Sequence, residues 1–166
     1  MFLSFAAIVL GIVFVVLFIS SLLGVPFLPT NMRQARLMME LAGIKPGMTV
    51  IDLGSGNGRL LFLAAKKGAR AIGYELNPGL YAWTMAVAFL RGQTKLVSVK
   101  CRSLYDADLS EADVVLSFLM PGPMKKLASK LFSELKPGTT IVSYAFSIPG
   151  HEPAVKKEGI FVYKVC

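Results

Sequence analysis

The chain has 166 residues, 54% hydrophobic and 17% charged, with a formal net charge of +8. An ordinary soluble domain carries about 25% charged residues; here the deficit is localised, since all 28 Asp, Glu, Lys and Arg residues fall between Arg33 and Lys164. The length predicts one main domain, and Cys101, Cys166 and a lone His151 argue against a disulfide framework or a metal site.

The N-terminal stretch is nearly continuous apolar sequence from Met1 to Leu28. A hydrocarbon core of about 30 Å needs roughly 20 helical residues, so residues 1–25 read as a transmembrane anchor, 26–30 as a linker and 31–166 as the domain. A small domain could not surround so long an all-round apolar helix. Signal cleavage is disfavoured by the missing basic leader and the lack of a small-x-small site before Pro26. Arg33, Arg36 and Lys45 follow the span, so the positive-inside rule puts the domain on the cytoplasmic side as a single-pass protein, in the mitochondrial inner membrane if the source is eukaryotic. The basic domain would then face an anionic lipid bilayer. No compact basic run interleaved with aromatics is present, so nucleic acid is not expected as a partner.

Asn31 caps a helix to Ala42, with Gln34 in capping-box position and Gly43 as its stop. After the Lys45-Pro-Gly47 turn, Met48 to Leu53 reads as a buried strand. A glycine loop opens a helix over Arg59–Lys67, and Ala69–Glu75 is a second strand. Asn77 and Pro78 start a helix that runs to about Arg91. Lys95–Cys101 and Asp113–Phe118 are the third and fourth strands, Pro123–Leu135 is an amphipathic helix, and Thr139–Phe146 is the fifth strand. The tail holds a hairpin, Ala154–Lys157 with Ile160–Val165. Strands alternating with helices predict an α/β fold, a Rossmann-like doubly wound and mostly parallel sheet ending in an antiparallel hairpin, with the membrane helix preceding it.

In such a sheet ligands sit beyond the carboxyl ends of the strands. There the chain places Gly54-Ser55-Gly56-Asn57-Gly58, a loop whose backbone can approach a ligand closely and whose N–H groups, opening a helix, suit a carboxylate. Asp52 lies two residues before Gly54, where it would meet a cation. Glu75 ends the next strand, where an acid can bind both ribose hydroxyls. A dinucleotide fingerprint would have its third glycine at position 59, which here is Arg59. Together these features favour S-adenosylmethionine over a nicotinamide dinucleotide.

Val50-Ile-Asp-Leu-Gly-Ser-Gly-Asn-Gly-Arg59 followed by Gly73-Tyr-Glu-Leu-Asn-Pro78 resembles the seven-strand class I methyltransferases. More narrowly, with the apolar N-terminus, Pro29-Thr30 and Asp108-Leu-Ser110, the chain resembles the small membrane-anchored protein-lysine methyltransferases. Their mitochondrial members modify the adenine nucleotide translocase and the c-ring protein of ATP synthase. The resemblance implies that Asp52, Gly54, Ser55, Gly56 and Gly58 hold the methionine part of S-adenosylmethionine and Glu75 its ribose, with Thr30 and Asn77 as further contacts. Ser103 stands where the family commonly has an aspartate near the adenine, so it would hydrogen-bond there without charge. Ser117-Phe-Leu-Met-Pro121 replaces the Pro-Pro-aromatic motif of adenine and glutamine methylation. Phe118, Met120, Tyr144 and Tyr105, with Trp83 and Phe146, are candidates for an acceptor pocket that takes a lysine stem. No catalytic base is assigned, since Asp113 and Glu152 read as surface charges. The expected acceptor is a lysine of a membrane protein. Alternatives are methylation of a lipid or small amphiphile, or a non-catalytic cofactor-binding membrane module.

Overall fold

The computed structural model describes residues 30–166, together with the isolated Gly11. Its elements, in chain order, are α1 (Met32–Leu41), β1 (Thr49–Leu53), α2 (Arg59–Lys66), β2 (Arg70–Tyr74), α3 (Pro78–Leu90) and β3 (Val97–Lys100). A 3-10 turn (Leu104–Asp106) leads to β4 (Val114–Ser117), α4 (Pro121–Glu134), β5 (Thr140–Tyr144), β6 (Val155–Lys157) and β7 (Ile160–Lys164). The seven strands form one sheet in the order β3-β2-β1-β4-β5-β7-β6. β1 to β5 run parallel, and β7 lies antiparallel to both β5 and β6. β1 sits between β2 and β4, so the winding reverses there, and a crevice opens beyond the carboxyl ends of β1 and β4.

Alternate residues of each strand face opposite layers. Val50, Ala71, Val97, Val114, Leu116 and Val142 pack against α1, α2 and Ala88 of α3. Ile51, Leu53, Ile72, Val115 and Ile141 face the other layer, filled by Met124, Leu127 and Leu131 of α4. The two Lys-Pro-Gly turns feed β1 and β5 from the opposite end of the sheet. Gly47 and Gly138 have φ of 82° and 88°, as the position after proline in a type II turn requires.

Local chemistry sets the helix starts. Asn31 Oδ1 accepts from the Gln34 amide at 3.0 Å, but the reciprocal half of the capping box is absent: Gln34 Oε1 is buried without a hydrogen-bond partner. Asn77 Oδ1 caps α3 through the amides of Gly79 and Leu80 at 2.9 and 3.2 Å. α4 begins two residues earlier than the sequence predicts, because Pro121 occupies its first position, where the missing N–H and fixed φ suit a helix.

The fold and localisation expectations need one correction. Among the described residues no helix is long and apolar enough to cross a membrane. The longest, α4, has 14 residues, about 21 Å of rise against a hydrocarbon core of about 30 Å, and it carries Lys125, Lys126, Lys130 and Glu134. The transmembrane reading rested on hydropathy over residues 1–25, which, Gly11 apart, lie outside the described residues. The described fold is therefore a mixed seven-stranded Rossmann-like sheet without a membrane helix, and the single-pass placement is not retained.

Candidate functional site

A cavity of about 470 Å³ opens at the winding reversal, bordered by the ends of β1, β2, β4 and β5. Of the residues expected to bind the cofactor, Thr30, Asp52, Gly54, Ser55, Gly56, Glu75, Asn77 and Ser103 line it. Gly58 does not. It takes φ +75°, and a Cβ there would lie 2.4 Å from Thr84 Cγ2. The fully buried Thr84 also donates its hydroxyl to the Gly56 carbonyl at 3.1 Å. Gly58 thus lets α3 press against the loop, and its role is packing.

The loop's hydrogen bonds differ from the expectation that its amides face a ligand. Gly54 and Ser55 both donate to the Tyr74 carbonyl, at 2.9 and 3.0 Å, and Gly58 donates to the Ser55 carbonyl at 2.9 Å. Gly56 donates to Glu75 Oε2 at 2.8 Å. Only Asn57 keeps a loop amide with no protein acceptor among the described residues. The loop is therefore held by the protein itself.

The two acids differ sharply. Glu75 is half-buried, and its other oxygen accepts from the Asn77 amide at 2.8 Å, so its carboxylate is fixed at the cavity wall. Asp52 is 3% exposed and has no hydrogen-bond partner among the described residues. Burial, aided by the nearby Glu75 carboxylate, raises its pKa to about 7. A buried carboxylate left unpaired costs several kcal/mol unless a cation joins it. The site therefore fits a ligand bearing an ammonium group beside a ribose. Asn77 uses its side chain as a helix cap, so its amide, not its Oδ1, serves the site. Ser103 Oγ accepts from the Tyr105 amide at 3.3 Å and keeps a hydroxyl proton to donate.

The acceptor candidates divide. Phe118, Met120, Tyr105 and Phe146 line the cavity. Tyr144 does not, but its ring packs on that of Phe118 with centroids 4.8 Å apart. Trp83 is 60% exposed on α3 and away from the cavity. The hydroxyl of Ser143 donates to the Phe146 carbonyl at 2.6 Å, and Ala145 takes φ +68°, so the bend after β5 is built to turn residues 145–146 toward the cavity. Neither of the two carboxylates considered as bases reaches it. Asp113, at the amino end of β4, accepts from the Thr49 amide at 2.8 Å and pairs with Lys136 at 2.9 Å, and Glu152 is exposed. Sequence reasoning also missed Arg59, Leu76, Leu104 and Leu119, all of which line the cavity. Leu76 carried a signal, being a leucine directly after the strand-end acid, where it stays 54% exposed.

Comparisons with known proteins agree with this geometry. The family model described as the ANTKMT methyltransferase domain matches residues 52–155, more than half of the chain. A protein-lysine N-methyltransferase of Saccharolobus islandicus (strain REY15A) is 37% identical over 131 residues, covering 78% of this chain and 81% of its own. The adenine nucleotide translocase lysine N-methyltransferase of Mus musculus is 36% identical over 139 residues, covering 82% of this chain; the match spans 60% of the mouse protein. Among solved structures, an RNA methyltransferase from Salinibacter ruber in complex with S-adenosyl-L-homocysteine superposes with a TM-score of 0.77 at 38% identity, over 83% of this chain and 92% of that one. The chain belongs to the ANTKMT methyltransferase domain family and is an S-adenosylmethionine-dependent methyltransferase.

Proposed function

We propose that residues 31–166 form a protein-lysine N-methyltransferase unit whose acceptor is a lysine on a membrane or membrane-associated protein. The observation that carries the lysine reading is the division of the cavity. Its β1–β2 side offers Asp52 and Glu75, and its β4–β5 side offers the apolar Phe118, Met120 and Phe146 with Tyr105 nearby. On this reading Asp52 takes the cofactor's ammonium group, Gly54, Ser55 and Gly56 border its methionine part, and Glu75 takes its ribose hydroxyls. Ser103 meets the adenine, which Leu76 and Leu104 flank. Thr30 closes the methionine end.

The cofactor supplies an activated methyl group on a sulfonium. What the chain must do is align an amine with it and keep that amine neutral. A lysine titrates near 10.4, so deprotonating it at pH 7 costs about 4–5 kcal/mol. The Phe118–Met120 rim strips water from the lysine stem, which disfavours the charged form and lowers that cost. Both acids of the cavity lie on the cofactor side, so no carboxylate is positioned to hold the acceptor as an ammonium ion. The membrane character of the acceptor is supported by relatives whose names specify the adenine nucleotide translocase and the c-ring protein of ATP synthase as their substrates.

One observation favours a second acceptor class, since the Salinibacter ruber relative is described as an RNA methyltransferase. Incubation with methyl-labelled cofactor and cell membranes, and separately with total RNA, distinguishes the two. The proposal predicts label in protein, recovered as methyllysine after acid hydrolysis. Label confined to RNA or to the lipid fraction would overturn it.

A further inference from the structure

We propose that Arg59 is the residue that binds the α-carboxylate of S-adenosylmethionine, an inference that rests on the cofactor placement proposed above. With the amides of Gly54, Ser55, Gly56 and Gly58 all committed within the protein, the loop has a single amide, that of Asn57, to offer an anion. A carboxylate entering a partly closed cavity needs more donors than that. Beside Asp52 and Glu75 it also needs a positive charge, because two acids alone would repel it.

Arg59 supplies both. It is the only Lys or Arg among the residues lining the cavity, it is half-buried, and it forms no ion pair among the described residues. Its side chain donates to the Thr30 carbonyl, which holds the guanidinium against the cavity wall beside the segment that enters α1. The guanidinium carries five N–H donors in a rigid fork, so this one bond leaves a carboxylate-matching edge free. Arg59 is also the first residue of α2, an eight-residue helix, so its charge adds to the positive end of the helix dipole. The cavity then holds two acids and one cation, matching a ligand with an ammonium, a ribose and a carboxylate.

Calorimetric titration of the full chain with S-adenosylmethionine and with its decarboxylated form tests this directly. The two ligands share adenine, ribose, sulfonium and ammonium, and differ only in the carboxylate. The wild-type chain is expected to bind S-adenosylmethionine about 10- to 100-fold more tightly, the range for a charge-assisted bidentate contact. Arg59→Gln should erase that preference by weakening S-adenosylmethionine while leaving the decarboxylated ligand within about twofold. Arg59→Lys, which keeps the charge and stem but not the fork, should retain part of the preference and serves if the Gln variant does not fold. Equal affinity of the wild-type chain for both ligands overturns the inference, as does an equal loss for both in the Arg59 variants. Glu75→Gln separates this outcome from failure of the underlying placement, since it should weaken both ligands alike. If it weakens neither, the placement fails and the inference with it.

Discussion

Titrating the chain with S-adenosylhomocysteine at pH values between 6 and 7.5 interrogates Asp52 directly. Its carboxyl is buried, unbonded and close to Glu75, and its pKa is raised to about 7. If only the ionised form accepts the ligand's ammonium group, the apparent dissociation constant scales with one plus the ratio of protonated to ionised Asp52. That factor is about 11 at pH 6 and about 1.3 at pH 7.5, an about eightfold weakening on acidification, or roughly 1.2 kcal/mol. Binding at pH 6.5 should also release about three-quarters of a proton, measurable by calorimetry in two buffers of different ionisation enthalpy. Asp52→Asn should bind weakly with no slope over this window. A wild-type affinity that stays flat from pH 6 to 7.5, or an equal slope in Asp52→Asn, would refute the reasoning.

The same residue has a stability consequence of known sign. Because the folded-state pKa of Asp52 lies above its ordinary 3.8, the unfolded chain releases that proton first, and stability falls as pH rises from about 4 to about 7. Asp52→Asn should therefore raise the melting temperature in the absence of cofactor, more at pH 8 than at pH 5; a drop at pH 8 would contradict this. Asp113 has the opposite sign. Hydrogen bonding to Lys136, then to the Thr49 amide, holds its pKa below the usual carboxylate range, so its stabilisation is present at neutral pH and lost on acidification below about 4. Asp113→Asn should cost about 1 kcal/mol at pH 7 after allowance for solvent screening and leave cofactor affinity unchanged, by urea denaturation and calorimetry respectively. Gly58→Ala combines a positive φ with a collision against buried Thr84, and should cost about 2–4 kcal/mol in urea denaturation. Phe118→Ala should lower kcat/KM for the acceptor about tenfold or more while leaving the cofactor dissociation constant within about twofold.

Much of the architecture was legible because its determinants are local. Apolar runs at Val50–Leu53 and Val114–Leu116 mark central parallel strands, buried on both faces, and Asn31, Asn77 and Pro78 announce helix starts through their own chemistry. Asp52 and Glu75 were legible because an acid at the end of a buried strand has few structural reasons to be there. Arg59 was not, since an arginine opening an amphipathic helix normally points to water, and only the fold brings it against Thr30. The orientation of Trp83 was hidden for a different reason. α3 is apolar around most of its circumference, yet only Thr84 and Ala88 are buried, so periodicity does not say which face meets the sheet. The turn at Leu104–Asp106 is three residues long, below the length at which any period can be read.

The self-contained bonding of the glycine loop bears on how chains of this fold drift once selection for catalysis relaxes. Gly58 is kept by Thr84, and the Gly54, Ser55 and Gly56 amides close on Tyr74 and Glu75, so folding alone would preserve the glycine motif in a descendant that bound nothing. Asp52 has no such protection. It accepts no bond within the described protein and opposes folding at neutral pH, so a chain freed from its ligand would gain by losing it. An intact glycine loop is thus evidence of ancestry, and the aspartate two residues before it is the better witness to present use.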